Sequence, residues 1–232
     1  MDSRPNSFGA ASIGRSLLIV RQVGNNFNQA AAFQLPKTRR LLEMTNTKDG
    51  ARHLIRCAHL FDAVLARIAE DKWDEPTCCD GWTVKDCASH AIGVMVNLRK
   101  RALGEEPVDY QDGSWAGDNP LISCRERLYE LIEAIQDADL DMQFSSPIFG
   151  DLILGEFYGM MAYDLLVHAW DLADAVGIDH GIDEVTAELA VEKSGHLTSL
   201  VRSEDYEFDP ACGDSVLNRL IESTGRTPVN GW

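Results

Sequence analysis

The stretch Tyr163-Asp164-Leu165-Leu166-Val167-His168-Ala169-Trp170-Asp171-Leu172 decides how this chain is read. Around it Met161, Leu165, Leu172 and Ala175 recur at helical spacing, the mark of one buried helical face. Asp164 and His168 lie within that apolar stripe, four residues apart, so they project from the same side one turn apart. A carboxylate in a core is costly unless something meets it. A cation or a hydrogen-bonding partner is therefore expected beside Asp164.

Working outward, the helix that carries this stretch is expected over 155–176, with Gly177 as its stop. Just before it, Ser146 to Leu154 is short and β-prone, with Gly150-Asp151 between Ile148-Phe149 and Leu152-Ile153, which reads as a hairpin. Further upstream, Asn119-Pro120 opens a helix whose stripe is Leu121, Cys124, Leu128, Leu131, Ile132 and Ile135. A long loop over 103–119 precedes it, of the kind that is often functional. Before the loop, Thr83 reads as an N-cap with Asp86 at the third helical position, a capping box, and Trp82 with Cys87 as a hydrophobic staple. That helix buries Cys87, Ala91, Val94 and Leu98, with His90 beside them. The first helix is expected from about Thr47 to Asp71, on Leu54, Ala58, Phe61, Leu65 and Ile68, widened by Cys57 and Val64. After the central stretch, a charged helix over 183–201 should bury Val185, Leu189 and Leu197 and turn Asp183, Glu184, Glu188 and Glu192 to solvent. A short last helix over 215–223 ends at Gly225-Arg226-Thr227-Pro228. The pattern is all-α: a four-helix bundle with a crossover loop, a small β-hairpin before the fourth helix and additional C-terminal helices.

Residues 1–46 differ from the rest. They are rich in Ser, Asn, Gln and Gly, and read as a disordered arm ahead of a helical domain over 47–232. Met44 stands just before the first periodic segment, so translation could start there or at Met1. The arm has six Lys/Arg against two Asp/Glu, a net +4, in a chain of net charge −16, so the remainder carries −20. Such acidity argues against nucleic acid and against an anionic membrane surface. No apolar run is long enough to span a membrane. Six cysteines, Cys57, Cys78, Cys79, Cys87, Cys124 and Cys212, form no C-x-x-C pair and no signal peptide precedes them, so they read as reduced thiols of a cytoplasmic protein. Adjacent Cys78-Cys79 could be a redox pair, but neighbouring cysteines bridge poorly, and loop thiols are the simpler reading.

His90, Asp164 and His168 are three potential metal ligands on two core-facing stripes. Bundles build metal sites from facing helices in this way. Imidazole plus carboxylate suits Zn²⁺ first, or Ni²⁺ or Fe²⁺, and three protein ligands leave a position open. The alternative is that each histidine is a satisfied core residue and that Asp164 pairs with an arginine or a tyrosine. Spacing alone leaves both open. Asp171, three residues after His168, could fix an imidazole tautomer, or could make a helix-end ion pair. Asp171 and Tyr163 are the only evident acid–base candidates. His53, His59, His180 and His196 read as surface or local-packing residues, and Trp82 and Trp170 as core. Gly-x-Ser-x-Gly, Walker A, the Rossmann fingerprint and His-Glu-x-x-His are absent.

Taken together, Cys79-Asp80-Gly81-Trp82-Thr83-Val84-Lys85-Asp86 through His90, Asp164-x-x-x-His168-Ala169-Trp170-Asp171-Leu172-Ala173, and Gly225-Arg226-Thr227-Pro228 resemble an actinobacterial family. That family is similar to the metal-binding N-terminal domain of mycothiol-dependent maleylpyruvate isomerase, within the DinB/YfiT-like superfamily. The resemblance covers about residues 47–230. It implies a DinB-like bundle with a divalent metal held by His90, Asp164 and His168, Asp164 standing where the isomerase has a glutamate. It also implies mycothiol as a small-molecule thiol partner, activated at the open metal position and transferred to an electrophilic substrate. The isomerase carries a second, C-terminal α/β domain for which this chain has no room, so maleylpyruvate isomerisation itself is not expected. A metal- and mycothiol-dependent transferase, or a related metal-dependent enzyme, is the first expectation. A non-catalytic metal-binding bundle, a scaffold or sensor, is the other. Either would be a monomer or a homodimer.

Overall fold

The computed structural model describes residues 37–110, 112–146, 149–201 and 215–226, with the backbone alone for 37–46 and 195–201. Among these residues are six α-helices and one two-stranded hairpin. In chain order they are α1 (Lys37–Leu65), α2 (Val84–Ala102), α3 (Pro120–Asp137), β1 (Gln143–Ser146), β2 (Gly150–Ile153), α4 (Leu154–Val176), α5 (Glu184–Val201) and α6 (Val216–Ser223). The architecture is a helical bundle, as the apolar periodicity requires.

Helix α4 is its centre, packed against α1, α2 and α5, while α3 closes the other side of α2 and α6 lies on α5. From Leu165 to Asp174 every residue of α4 is buried. The single apolar stripe read from the sequence is therefore too narrow a description. Met161 and Ala175, expected on that stripe, are only half-buried, though both pack against the core. Gly177, in the left-handed region at φ 69°, ends the helix where expected.

Helices α1 and α4 touch through glycines. A Cβ on Gly155 would lie 2.5 Å from the Thr47 side chain, and one on Gly50 would run into the Gly155 carbonyl oxygen. The backbones can approach this closely because neither residue has a side chain. Helix α1 itself begins at Lys37, ten residues ahead of the expected start, and stops at Leu65. Asp71, expected at its end, belongs to a separate 3-10 turn over Glu70–Lys72, and Ile68 lies between the two. Residues 1–36 of the expected arm, and Cys212, lie outside the described residues.

Two further expectations need correction. The hairpin is real, but Gly150-Asp151 is not its turn. Those residues pair with Ser146 and Ser145 inside the ladder, and Phe144 pairs with Leu152. Register follows tertiary contact here. Phe144 packs edge-on against Phe157 of α4, with centroids 5.2 Å apart, and the Arg101 guanidinium lies 4.5 Å from its ring. In α5, Val185 is 56% exposed instead of buried, and Leu189 is half-buried. The buried side is made of Thr186, Ala187, Ala190 and Ser194, and the Ser194 hydroxyl donates to the Met160 carbonyl at 3.1 Å. Small residues win because α5 lies close on α4, where the Lys193 stem covers Gly159. The side chain of Leu197 lies outside the described residues.

Candidate metal centre

Three segments bring the site together. The first is the turn before α2. Thr77 N–H donates to the Trp82 carbonyl at 2.9 Å and Val84 N–H to that of Glu75 at 2.9 Å, which folds 76–83 into a tight loop. Gly81, at φ 79°, supplies the conformation that other residues avoid. The expected capping box closes it: Asp86 N–H donates to Thr83 Oγ1 at 3.2 Å, and Thr83 N–H to Asp86 Oδ2 at 2.9 Å. Cys78 and Cys79 are thereby held against α4, Trp82 lies beside the bundle, and His90 follows two turns into α2.

The second segment is the crossover loop. Asn97 holds it by both ends of its amide, donating to the Val108 carbonyl at 3.0 Å and accepting from Val108 N–H at 2.7 Å. Trp115 Nε1 donates to the Asp109 carbonyl at 2.9 Å, and Ala116 N–H to the buried Ser89 hydroxyl at 3.2 Å. Gly93 leaves room for this approach, since a Cβ there would sit 2.8 Å from the Tyr110 carbonyl oxygen. Tyr110 is thus set edge-on to His90, with centroids 5.3 Å apart.

The third is α4, with Asp164, His168 and Asp171 one below another. His90, Asp164 and His168 converge, each offering an atom within 4.8 Å of the others. His90 Nε2 stands 3.6 Å from Asp164 Oδ2, and His168 Nε2 stands 3.8 Å from Asp164 Oδ1. Both distances exceed a hydrogen bond. The two imidazoles meet edge to face at 4.8 Å, and the Trp82 ring lies 4.9 Å from His90 and 5.9 Å from His168. His90 Nδ1 and Asp164 Oδ2 are buried with no hydrogen-bond partner among the described residues. Buried polar atoms are seldom left so. Two imidazoles and a carboxylate with unspent lone pairs fit a divalent cation of the zinc class. Among the described residues no arginine or tyrosine donates a hydrogen bond to Asp164.

Without a cation, the cluster is an ion pair. Burial disfavours the imidazolium of His168, but the carboxylate of Asp164 and the hydrogen bond the ring donates to Asp171 outweigh it and raise the ring to about 10. Burial likewise works against the Asp164 anion, yet His168 and His90 lower it to about 2. Tyr163, a candidate acid–base group, is pushed up to about 12 by burial.

Asp171 is fully buried and is more than a helix-end charge. Its Oδ2 lies 2.8 Å from His168 Nδ1, which leaves Nε2 directed toward Asp164. Arg226, just past α6, grips the same carboxylate with two bonds, Nε to Oδ1 at 2.6 Å and a terminal nitrogen to Oδ2 at 2.9 Å. Cys78 Sγ donates to Oδ1 at 3.1 Å and Cys79 Sγ to Oδ2 at 3.4 Å. The contribution of Arg226 was visible only as part of a motif, and that of the thiols was missed. An arginine 55 residues from its partner has no local signal. Two further groups of possible ligands share these atoms, Cys78 with Cys79 and Asp171, and Cys87 with His168 and Asp171. The Arg226 guanidinium already occupies the charge of Asp171, which makes them poorer cation sites.

The other histidines behave as local residues. His53 is buried against Cys57, 3.8 Å from its sulfur, His59 is exposed, His180 is half-buried, and the His196 side chain lies outside the described residues.

A largely shielded His–Asp–His cluster in a helical bundle defines a candidate metal-binding domain. Residues 54–114 match the family model described as mycothiol maleylpyruvate isomerase N-terminal domain, which bears out the resemblance read from the sequence. The match takes in α2 with His90 and most of the crossover loop. Among curated proteins, the uncharacterized proteins MT0763 and Rv0738 of Mycobacterium tuberculosis are each 29% identical over 147 residues, 63% of this chain and 76% of their own length. No solved structure matches the chain. No helix among the described residues is long and apolar enough to cross a membrane.

Proposed function

We propose that this chain is a divalent-metal protein of DinB-like architecture, with His90, Asp164 and His168 as ligands and a small-molecule thiol, mycothiol, as its co-substrate in group transfer to an electrophile in the cytoplasm. The observation that carries it is the pair of unpartnered buried atoms, His90 Nδ1 and Asp164 Oδ2, beside His168. Zinc is the first candidate for the ion. A bound cation would lower the pKa of a thiol and supply a thiolate near neutral pH. The protein's own residues do the rest. Asp171 fixes the ring of His168, Arg226 fixes Asp171, and Trp82 and Tyr110 wall the histidine side of the cluster and limit water there.

One observation favours the non-catalytic reading. Tyr163 is too weak an acid for proton transfer near neutrality, and Asp171 is committed to Arg226 and His168. A thiol already ionised by the cation needs no further base, so we retain transfer as the first reading. The test is zinc titration calorimetry on chelator-stripped protein, wild type against His168→Ala, followed by mycothiol titration of the zinc-loaded form. We expect stoichiometric zinc binding that His168→Ala abolishes, and mycothiol binding that requires zinc. Zinc binding without mycothiol binding at millimolar concentration would leave the scaffold or sensor reading. Unaltered zinc binding by His168→Ala would remove the ligand assignment.

A further inference from the structure

The histidine cluster opens to solvent where Asp164 lies, since that side chain is 27% exposed against 11% for His90 and 8% for His168. Two aromatic rings stand against His90, Trp82 with its centroid 4.9 Å away and Tyr110 edge-on at 5.3 Å. Each packs on the core with part of its surface and leaves the rest exposed. Both are held. Asn97 bonds twice to Val108, and Gly93 admits the Tyr110 backbone. Trp82 sits in the loop that the capping box closes. The segments that carry these rings, 73–83 leading into α2 and 103–119 leading away from it, hold eight Asp/Glu and no Lys, Arg or His. Lys72 and Lys100 meet two of the eight, Glu75 and Glu105. Asp80 and Asp109, beside Gly81-Trp82 and Tyr110, are exposed. The nearby Arg226 is committed to Asp171.

We infer that Trp82 and Tyr110 form the binding site of a positively charged aromatic molecule, drawn to the histidine cluster by the acidic loops. A planar ring gains by packing on the two aromatic side chains. A positive charge on it is attracted both by their faces and by the carboxylates of the loops, in a chain of net charge −16 that repels anions. This deepens the function proposed above and rests on it only for the role of that molecule, the electrophile that accepts the thiol. In that setting Asp164 and one thiolate offset the charge of a divalent cation, so the loops set the sign of the surroundings. The binding itself needs neither cation nor thiol.

The experiment uses full-length, chelator-stripped protein and three probes of nearly equal size: benzylammonium, benzyl alcohol and benzoate. Calorimetry at about 20 mM salt should rank them in that order, with benzylammonium bound about 10-fold or more tighter than benzoate, and about 0.5 M sodium chloride should remove most of the difference. The indole N–H resonance of Trp82, identified by its loss in Trp82→Phe, should shift when benzylammonium is added. Tyr110→Leu should weaken benzylammonium by about threefold or more. Asp80→Asn combined with Asp109→Asn, shape-conserving changes at exposed positions, should narrow the preference over benzoate and leave benzyl alcohol unchanged. The ranking is read in the wild type, so it does not depend on a variant folding. Benzoate bound as tightly as benzylammonium, a Trp82 resonance that does not move, or no probe bound at millimolar concentration would each overturn the proposal. Zinc and mycothiol are absent throughout, so failure here leaves the metal and thiol reading to its own titration, and success stands without it.

Discussion

Asp171 shows how much one side chain can organise. It accepts from Arg226 through both oxygens, receives two thiols and holds the ring of His168, with no exposure to solvent. Asp171→Asn removes the charge but keeps the shape, and leaves a guanidinium buried without its counter-ion. Breaking a buried pair in this way costs roughly 3–5 kcal/mol. Urea unfolding at neutral pH should show a loss of that order, and calorimetry should show zinc affinity lowered by about 10–100-fold, the usual effect of losing the partner of a ligating histidine. Unchanged stability would mean that Arg226 is not engaged in solution. His53 makes a separate prediction. Burial, helped by Lys193 and Arg56, holds it at about 4, below the 6.5 of an exposed ring. The unfolded chain therefore binds a proton between those values that the folded chain refuses. Stability should be free of this penalty above pH 7, fall as the pH drops through 6.5, and level off below 4. The full effect is about 3 kcal/mol. Comparing His53→Gln with the wild type at pH 7.5 and pH 5 isolates it from other titrating groups. Equal pH dependence in the two proteins would assign the burial cost elsewhere.

At the scale of elements, α1 and α4 depend on the absence of side chains where they meet. Gly155→Ala would place a methyl group 2.5 Å from Thr47, so the helices must separate or Thr47 must move. Overpacking of this kind costs roughly 1–3 kcal/mol, against which the better helix propensity of alanine returns only about 1 kcal/mol. The variant should therefore be less stable in denaturant titration, and a gain in stability would show that the contact is looser than described. Because α4 carries Asp164 and His168 but α2 carries His90, a shift of α4 would also loosen the ligand set. Much of this was readable beforehand. The capping box at Thr83, the start of α3 at Pro120 and the stop of α4 at Gly177 are local chemistry, written within a few residues. The buried face of α5 was not readable, because hydrophobicity pointed to Val185 while close packing on α4 selected alanine, threonine and serine.

The whole molecule carries a net charge of −16. Self-repulsion of that size weakens a compact state and is screened as the Debye length shrinks from about 20–30 Å near 0.01–0.02 M salt to a few Å near 1 M. The melting temperature of the chelator-stripped protein should therefore rise between 20 mM and 0.5 M sodium chloride. A fall would indicate that ion pairs such as Arg56 with Asp183 and Arg125 with Asp62 outweigh the repulsion. These pairs are half-exposed or more on at least one side, where salt bridges contribute little, so a rise is expected.

Sequence by itself determined the helical class, most helix ends and the candidacy of His90, Asp164 and His168. Periodicity and capping act over one or two turns, so they are legible without a fold. It also showed that Asp164 needed a partner, since a carboxylate in an apolar stripe has no other way to be stable. Only the tertiary structure decided which partner was absent and which was present. His90 comes from a helix more than 70 residues away from Asp164 and meets it at 3.6 Å, but does not satisfy it by hydrogen bonding. Arg226 crosses from the far end of the described chain to Asp171, and Cys78 and Cys79 reach the same carboxylate from the loop before α2. Contacts of this kind are set by how whole helices pack, and packing depends on shape and distance between segments that share no local signal.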